Sequence, residues 1–280
     1  MNVLRIINDI LPEMTKTEYK VALFAMSNIS DFAFETLDAI SEKIGTSTTS
    51  ILRFCHRIGF VGYKEFQDSV RVELKSNSTL PDKFLQAVNN ADNDSMAFRI
   101  CNRAVACVRR TFDELSDAVL DKAVSTLIEA GRILTFGMKE SYALAHYAYT
   151  RLATVRPNVS ILPVGYNGEI EYLLSLNEND VCLVFLFHRY TKESVRILKR
   201  LKDRGVRVVL VSAAPYDKIA EYSELLLPCY VDIGGIKNSS AAPVALVDYI
   251  CNAAAMKLGD AALEYMRLAE AEFKNLDVLL

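Results

Sequence analysis

The stretch TLDAISEKIGTSTTSILRFCHRIGF, residues 36–60, decides how this chain is read. Leu37, Ile40 and Ile44 recur at helical spacing and give a first short helix one apolar face. Gly45 follows where a helix ends on a residue of positive φ. Ser47 suits the N-cap of a second helix. Ile51, Phe54, Cys55 and Ile58 then mark its buried stripe at i, i+3, i+4, i+7. The opposite face carries Thr48, Thr49, Ser50, Arg53, His56 and Arg57. Small hydroxyls at a helix N-terminus followed by arginines suit docking in the major groove of DNA. The short side chains allow close approach, and Arg reaches guanine O6/N7 or a phosphate. An ordinary helical pair with a solvated basic face would show much of the same pattern.

The charge distribution supports the DNA reading. The 280 residues hold 32 Lys+Arg against 35 Asp+Glu, so bulk charge does not announce a nucleic-acid binder. Between Lys43 and Lys64 the balance reverses. Lys43, Arg53, Arg57 and Lys64 stand there with no Asp or Glu among them. Affinity for the DNA backbone comes from such local neutralisation of phosphates. Ser47, Thr48, Thr49, Ser50, Arg53, His56, Arg57 and Lys64 are therefore the expected DNA-contacting residues, and operator DNA the expected partner.

The segment from Met14 to about Leu74 resembles the N-terminal domain of the RpiR family of bacterial transcriptional regulators. The resemblance is carried by MTKTEYKVALFAMSN (14–28), ISEKIGTSTTSILRFCHRIGF (40–60) and GYKEFQDSVRVEL (62–74). Its most specific element is Arg53-Phe54-Cys55 followed by Ile58-Gly59-Phe60. The resemblance implies an all-α helix-turn-helix domain followed by a SIS (sugar isomerase-like) domain that binds a sugar phosphate.

Length and texture accommodate two such domains. Residues 1–75 form the expected DNA-binding domain. The polar run KSNSTLPDKFLQAVNNADNDS makes 76–95 a linker, with one helical turn around Phe84–Val88. Residues 96–280 form the second domain. It opens with helices over Met96–Leu115 and Ser116–Ala130. From Arg132 short apolar runs alternate with helical segments. The runs are Ile133–Phe136, Val159–Pro163, Val181–Phe187, Val208–Ser212 and Leu225–Pro228. The intervening helices are expected near Ser141–Thr154, Glu169–Leu176, Lys192–Arg204 and Tyr216–Ser223. Continuous apolarity marks strands covered on both faces, hence an α/β domain with a five-stranded parallel sheet flanked by helices. Helices over Ser240–Leu258 and Ala261–Asn275 close the chain and have the length to cap the sheet or meet a second copy.

The N-terminus, MNVLRIINDILPEM, reads as an amphipathic helix rather than a signal peptide, with Val3, Ile6, Ile7 and Ile10 on one side. No run approaches 18 apolar residues, so no membrane partner is expected and the chain is placed in the cytoplasm. The six cysteines lack CxxC or partner-histidine spacing and read as free thiols. No metal or cofactor is expected.

In a sheet of this kind ligands bind beyond the C-terminal strand ends. One candidate junction is Phe136-Gly137-Met138-Lys139-Glu140-Ser141. Its Gly137 and Ser141 match the GxGxS junction of SIS domains, with Lys139 replacing the second glycine. The other follows Asp180-Val181. The resemblance expects S-x-S-G-x-T there, yet Leu186 and His188 take the serine positions and Arg189 the glycine position; Thr191 is retained. Three readings compete. Lys139, His188 and Arg189 grip an anion by charge, with Ser141 and Thr191 as hydroxyl donors. The site takes a different ligand. Or the domain only dimerises. The expected ligand residues are Gly137, Lys139, Ser141, His188, Arg189 and Thr191. Isomerase chemistry would need a positioned base. His188 is the one candidate, since His146 lies within a helix and His56 belongs to the DNA helix. Neither a Ser–His–Asp set nor a paired-carboxylate site is legible, so a regulator rather than an enzyme is expected. One small helix-turn-helix makes too few contacts for specificity, so a homodimer or homotetramer is expected.

Overall fold

The computed structural model describes residues 3–77, 79–89, 95–165, 169–187, 189–214 and 218–277. The chain divides into two compact units between Thr79 and Leu80.

The first unit is helical. It comprises α1 (Val3–Ile10), a 3-10 turn (Leu11–Glu13), α2 (Lys16–Ser27), α3 (Ile29–Phe34), α4 (Leu37–Ile44), α5 (Thr48–Arg57) and α6 (Tyr63–Asn77). Side-chain caps fix several of the starts. Thr15 and Glu18 form a reciprocal capping box on α2. Thr36 accepts from the Ala39 N–H at the start of α4. The core is built around Phe66 of α6, which meets Phe32, Phe54 and Phe60 edge to face. Val3 and Ile7 of α1 are fully buried in it. Side chains of α6 also satisfy the carbonyls that end α3: Gln67 donates to Phe32 O and Glu35 O, Arg71 to Ala33 O.

The second unit begins with α7 (Leu80–Asn89), inside the stretch read from sequence as a linker with a single turn. Its Pro81 stands in the first helical turn, where a missing N–H costs nothing. There follow α8 (Met96–Glu114), α9 (Asp117–Ile128), β1 (Arg132–Gly137), α10 (Glu140–Ala153), β2 (Val159–Ile161), α11 (Glu169–Leu174), β3 (Asp180–Leu186), α12 (Lys192–Asp203), β4 (Arg207–Ala213), β5 (Leu225–Cys229), α13 (Ala241–Leu258) and α14 (Asp260–Asn275). The helix expected over Tyr216–Ser223 is a 3-10 turn, Lys218–Tyr222, with residues 215–217 outside the described residues.

All strand pairs are parallel, in the order β2-β1-β3-β4-β5. Alternation along the strands builds two cores. Ile133, Leu183, Phe185 and Val211 face α9, α10 and α13. Leu134, Phe136, Val184, Leu186 and Leu210 face α11 and α12. The chain leaves β1 toward β2 on one side and returns to β3 on the other. The switch point of the sheet thus lies between the C-terminal ends of β1 and β3, where Gly137 pairs with Phe185. By length and composition α13 could cross a membrane, which the sequence reading did not foresee. It packs instead against α8, α9 and α10, burying Leu246, Val247, Ile250 and Cys251.

Candidate functional site

In the first unit, Gly45 ends α4 in the left-handed region at φ 63°, and its N–H and that of Thr46 bond back to Glu42 O and Ser41 O. Ser47 caps α5 by accepting from the Ser50 N–H at 3.2 Å. Its hydroxyl also pairs with the Ser50 hydroxyl, so both are engaged within the helix. Ile51, Phe54, Cys55 and Ile58 are buried. Burial pushes the Cys55 thiol up to about 12, outside the range of a reactive thiolate. On the outer face Thr49, Arg53, His56 and Arg57 are exposed, Thr48 and Ser50 half-buried, and Lys64 of α6 exposed.

That outer face is not bare. Thr49, Leu52, Arg53, His56 and Arg57 share a shallow depression with Glu18 of α2. The Thr15 backbone N–H holds the Glu18 carboxyl below the usual carboxylate range, with Arg57 and Arg53 adding to the effect. Arg57 donates to Glu13 O at 3.1 Å and reaches the Glu13 carboxylate at 3.5 Å. Lys43, counted from sequence as part of the basic run, is tied to Asp31 and Glu35. The hydrogen bonds from these two acids raise its pKa. The unspent positive charge of this face is therefore narrower than sequence counting gave: Arg53 and Lys64, with Arg57 half committed.

In the second unit, a cleft of about 250 Å³ opens at the switch point. Lys139, Ser141 and Arg189 line it together. Gly137 lies beneath, buried at the end of β1. A Cβ there would stand 2.3 Å from Ser141 O, so α10 starts this close to the strand only over a glycine. Thr191 accepts from the Ser194 N–H at 3.0 Å and serves as the N-cap of α12. His188 lies outside the described residues. Leu186, at a position where the resemblance expects serine, is buried in the core beneath α12.

The lining residues absent from the sequence-derived ligand set include Lys83 of α7, and Lys237, Ser239 and Ser240 before α13. The N-terminal ends of α7, α10 and α13 all border the cleft. Helix N-termini carry partial positive charge and free N–H groups, so the arrangement favours an anion. No side chain caps α10, because its N-cap is Lys139. Lys237 pairs with Glu140. Lys83, Lys139 and Arg189 have no acidic partner among the described residues.

Two of these cations occupy unusual backbone. Lys139 has φ 54° and ψ −122°, and Arg189 has φ 74°. Such conformations are favoured by glycine and cost a side-chain-bearing residue about 1–3 kcal/mol. Both positions are those where the SIS pattern has glycine.

Residues 1–77 match the model of the helix-turn-helix domain, rpiR family, and residues 126–248 that of the SIS domain. Among curated proteins the chain is 24% identical over 230 residues to an uncharacterized HTH-type transcriptional regulator of Haemophilus influenzae, covering 81% of this chain and 79% of that one. It is 25% identical over 224 residues to the HTH-type transcriptional regulator HexR of Pseudomonas aeruginosa, covering 76% and 74%. Among solved structures, the NanR protein of Vibrio vulnificus, complexed with ManNAc-6P, shares the fold over 98% of this chain and 99% of its own, at TM-score 0.60 and 17% identity. The sugar isomerase domain of an RpiR transcription factor from Sphaerobacter thermophilus aligns over 64% and 99%, at TM-score 0.60 and 18% identity.

Proposed function

The chain belongs to the rpiR family, an rpiR-type helix-turn-helix domain joined to a SIS domain, and from that premise we propose that the SIS domain senses a phosphorylated sugar or related anion and tunes operator binding. It is a helix-turn-helix transcriptional regulator, and DNA is its partner. In this reading Thr48, Thr49, Ser50, Arg53, His56 and Arg57 of α5 meet the operator, with Ser47 fixing the helix start and Lys64 a phosphate. Such a chain works in the cytoplasm.

The observation that carries the sensing is the pair Lys139 and Arg189. Both are unpaired cations among the described residues, both hold glycine-like backbone, and both open on one cleft. Drift after loss of a ligand gives no reason to place two cations on strained backbone at one cleft. Strain of this kind persists where something else rewards it. The ManNAc-6P bound to NanR supports a phosphosugar as the class of ligand. A thermal-shift screen of sugar phosphates, amino-sugar phosphates and free sugars tests the reading. A ligand present at 100 times its Kd adds about 2.7 kcal/mol to stability. Phosphorylated sugars are expected to raise the Tm and their unphosphorylated counterparts to leave it unchanged. No shift with any of them would leave a domain that only dimerises. We read the domain as a sensor rather than an isomerase, because it is joined to an rpiR-type helix-turn-helix domain.

We further propose a homodimer, or a pair of dimers, joined through the SIS domain and its terminal helices. Of the 16 residues of α14, only Ala262 is buried, while Leu263, Leu268 and Phe273, and Leu276 just past the helix end, are exposed. Uncovered apolar side chains on a terminal helix suit a contact surface. Light scattering at micromolar concentration is expected to give a dimer or tetramer, and Leu268→Glu to shift it toward monomer. A monomeric wild type would contradict the assembly.

A further inference from the structure

The polar segment after Lys75 reads from its sequence as a linker with one helical turn. It holds instead a helix, α7, whose Leu80 and Lys83 border the cleft. We propose that Lys83 is a ligand-contacting residue of the anion cleft, and that through it occupancy of the cleft controls the seating of α7, the element that connects the DNA-binding unit to the sensor. The inference rests on the reading of the cleft as an anion site.

Three observations meet in α7. Its Lys83 shares the cleft with Lys139 and Arg189, and none of the three has an acidic partner among the described residues. Like charges around one cleft repel one another, which opposes the docking of α7. An anion between them reverses the sign of that interaction. Second, apolar burial holds α7 only weakly. Phe84, Leu85 and Val88 are all more than half exposed, at 51%, 58% and 53%. The electrostatic contribution thus decides whether α7 docks. Third, α7 begins at Leu80, three residues after α6 ends at Asn77, and the boundary between the units falls just before it. A change in the docking of α7 is therefore felt at the attachment point of the DNA-binding unit, whichever way the units are arranged.

Lys83 also stands in the first turn of its own helix, where a cation faces the positive end of the dipole. Asp82 is the acidic residue of that turn, and Lys83 beside it is the cation that borders the cleft. A ligand acts on operator binding only through different affinities for two states. Docked and undocked α7 are those states, and Lys83 is the contact that differs between them.

The test uses the full chain with inorganic phosphate and with ManNAc-6P as probes. Hydrogen exchange over residues 80–89 reports α7 docking, and calorimetry reports binding. In the wild type, the probe is expected to slow exchange in α7. Lys83→Gln is expected to bind the probe roughly tenfold more weakly, as the loss of one charge-assisted bond predicts, and to show no slowing at matched occupancy. Lys83→Glu places a carboxylate beside Lys139 and Arg189, and is expected to slow exchange in α7 without any probe. If Lys83→Gln binds and protects α7 as the wild type does, while Arg189→Gly loses the probe, the role of Lys83 is overturned and the anion site stands. If the wild type binds neither probe, the anion site falls and this inference falls with it.

Discussion

Replacing Arg53 and Arg57 together by alanine is expected to weaken operator binding by about 10²–10⁴-fold, since each arginine on a guanine or phosphate contributes about 1–3 kcal/mol. The two sit one helical turn apart on the exposed face of α5. They are not equivalent. Among the described residues Arg53 has Glu18 as an electrostatic neighbour and no hydrogen-bonded acid. Arg57 is bonded to Glu13 O and must exchange that bond for one to DNA. Arg53→Ala is therefore expected to carry the larger share and to relax specificity at one base pair. Arg57→Ala is expected to act evenly on all sequences, lower the salt slope by about one, and cost the free protein about 1 kcal/mol or less through the lost bond to Glu13. Fluorescence anisotropy with the operator and a scrambled duplex, at two salt concentrations, separates these outcomes. An unchanged double variant would remove α5 from the groove.

What was legible in the sequence follows the range of the interactions involved. Gly45, Ser47 and the Ile51–Phe54–Cys55–Ile58 stripe act within one or two turns, so the helix pair is readable directly. The strands are readable because continuous apolarity is a property of each segment. The fate of Lys43 is not, because Asp31 and Glu35 reach it from another helix. Helix α7 was hidden by Pro81, which breaks a helix interior but suits its first turn. Lys139, Ser141 and Arg189 were marked by the resemblance to SIS junctions at two strand ends, and the three share one cleft. Lys83 and Lys237 lie about fifty and a hundred residues from Lys139. Only the folded order β2-β1-β3-β4-β5 and the placement of α7 and α13 collect them. Ser239 and Ser240 were visible as a helix start, yet nothing local says that this start borders β1.

Lys139→Gly combined with Arg189→Gly is expected to move stability and binding in opposite directions. Glycine adopts φ near +54° and +74° without steric cost, so each substitution releases about 1–3 kcal/mol of backbone strain. Glycine also makes the unfolded chain freer, which offsets about 0.5–1 kcal/mol at each site. The net gain is about 1–4 kcal/mol for the pair, and in a unit of this size each kcal/mol raises the Tm by about 2–4 °C. Relief of the repulsion among Lys83, Lys139 and Arg189 adds in the same direction. Binding goes the other way. Truncating charges that face an anion in a partly enclosed cleft costs about 2–5 kcal/mol, or roughly 30- to 5,000-fold in Kd. A site retained for its ligand therefore yields a more stable protein that no longer responds to a sugar phosphate. Thermal unfolding without ligand and titration with ManNAc-6P read the two halves separately. A variant less stable than the wild type would contradict the strain. A more stable variant that still binds would remove Lys139 and Arg189 from the site, since the released strain would then have been held for nothing in the cleft.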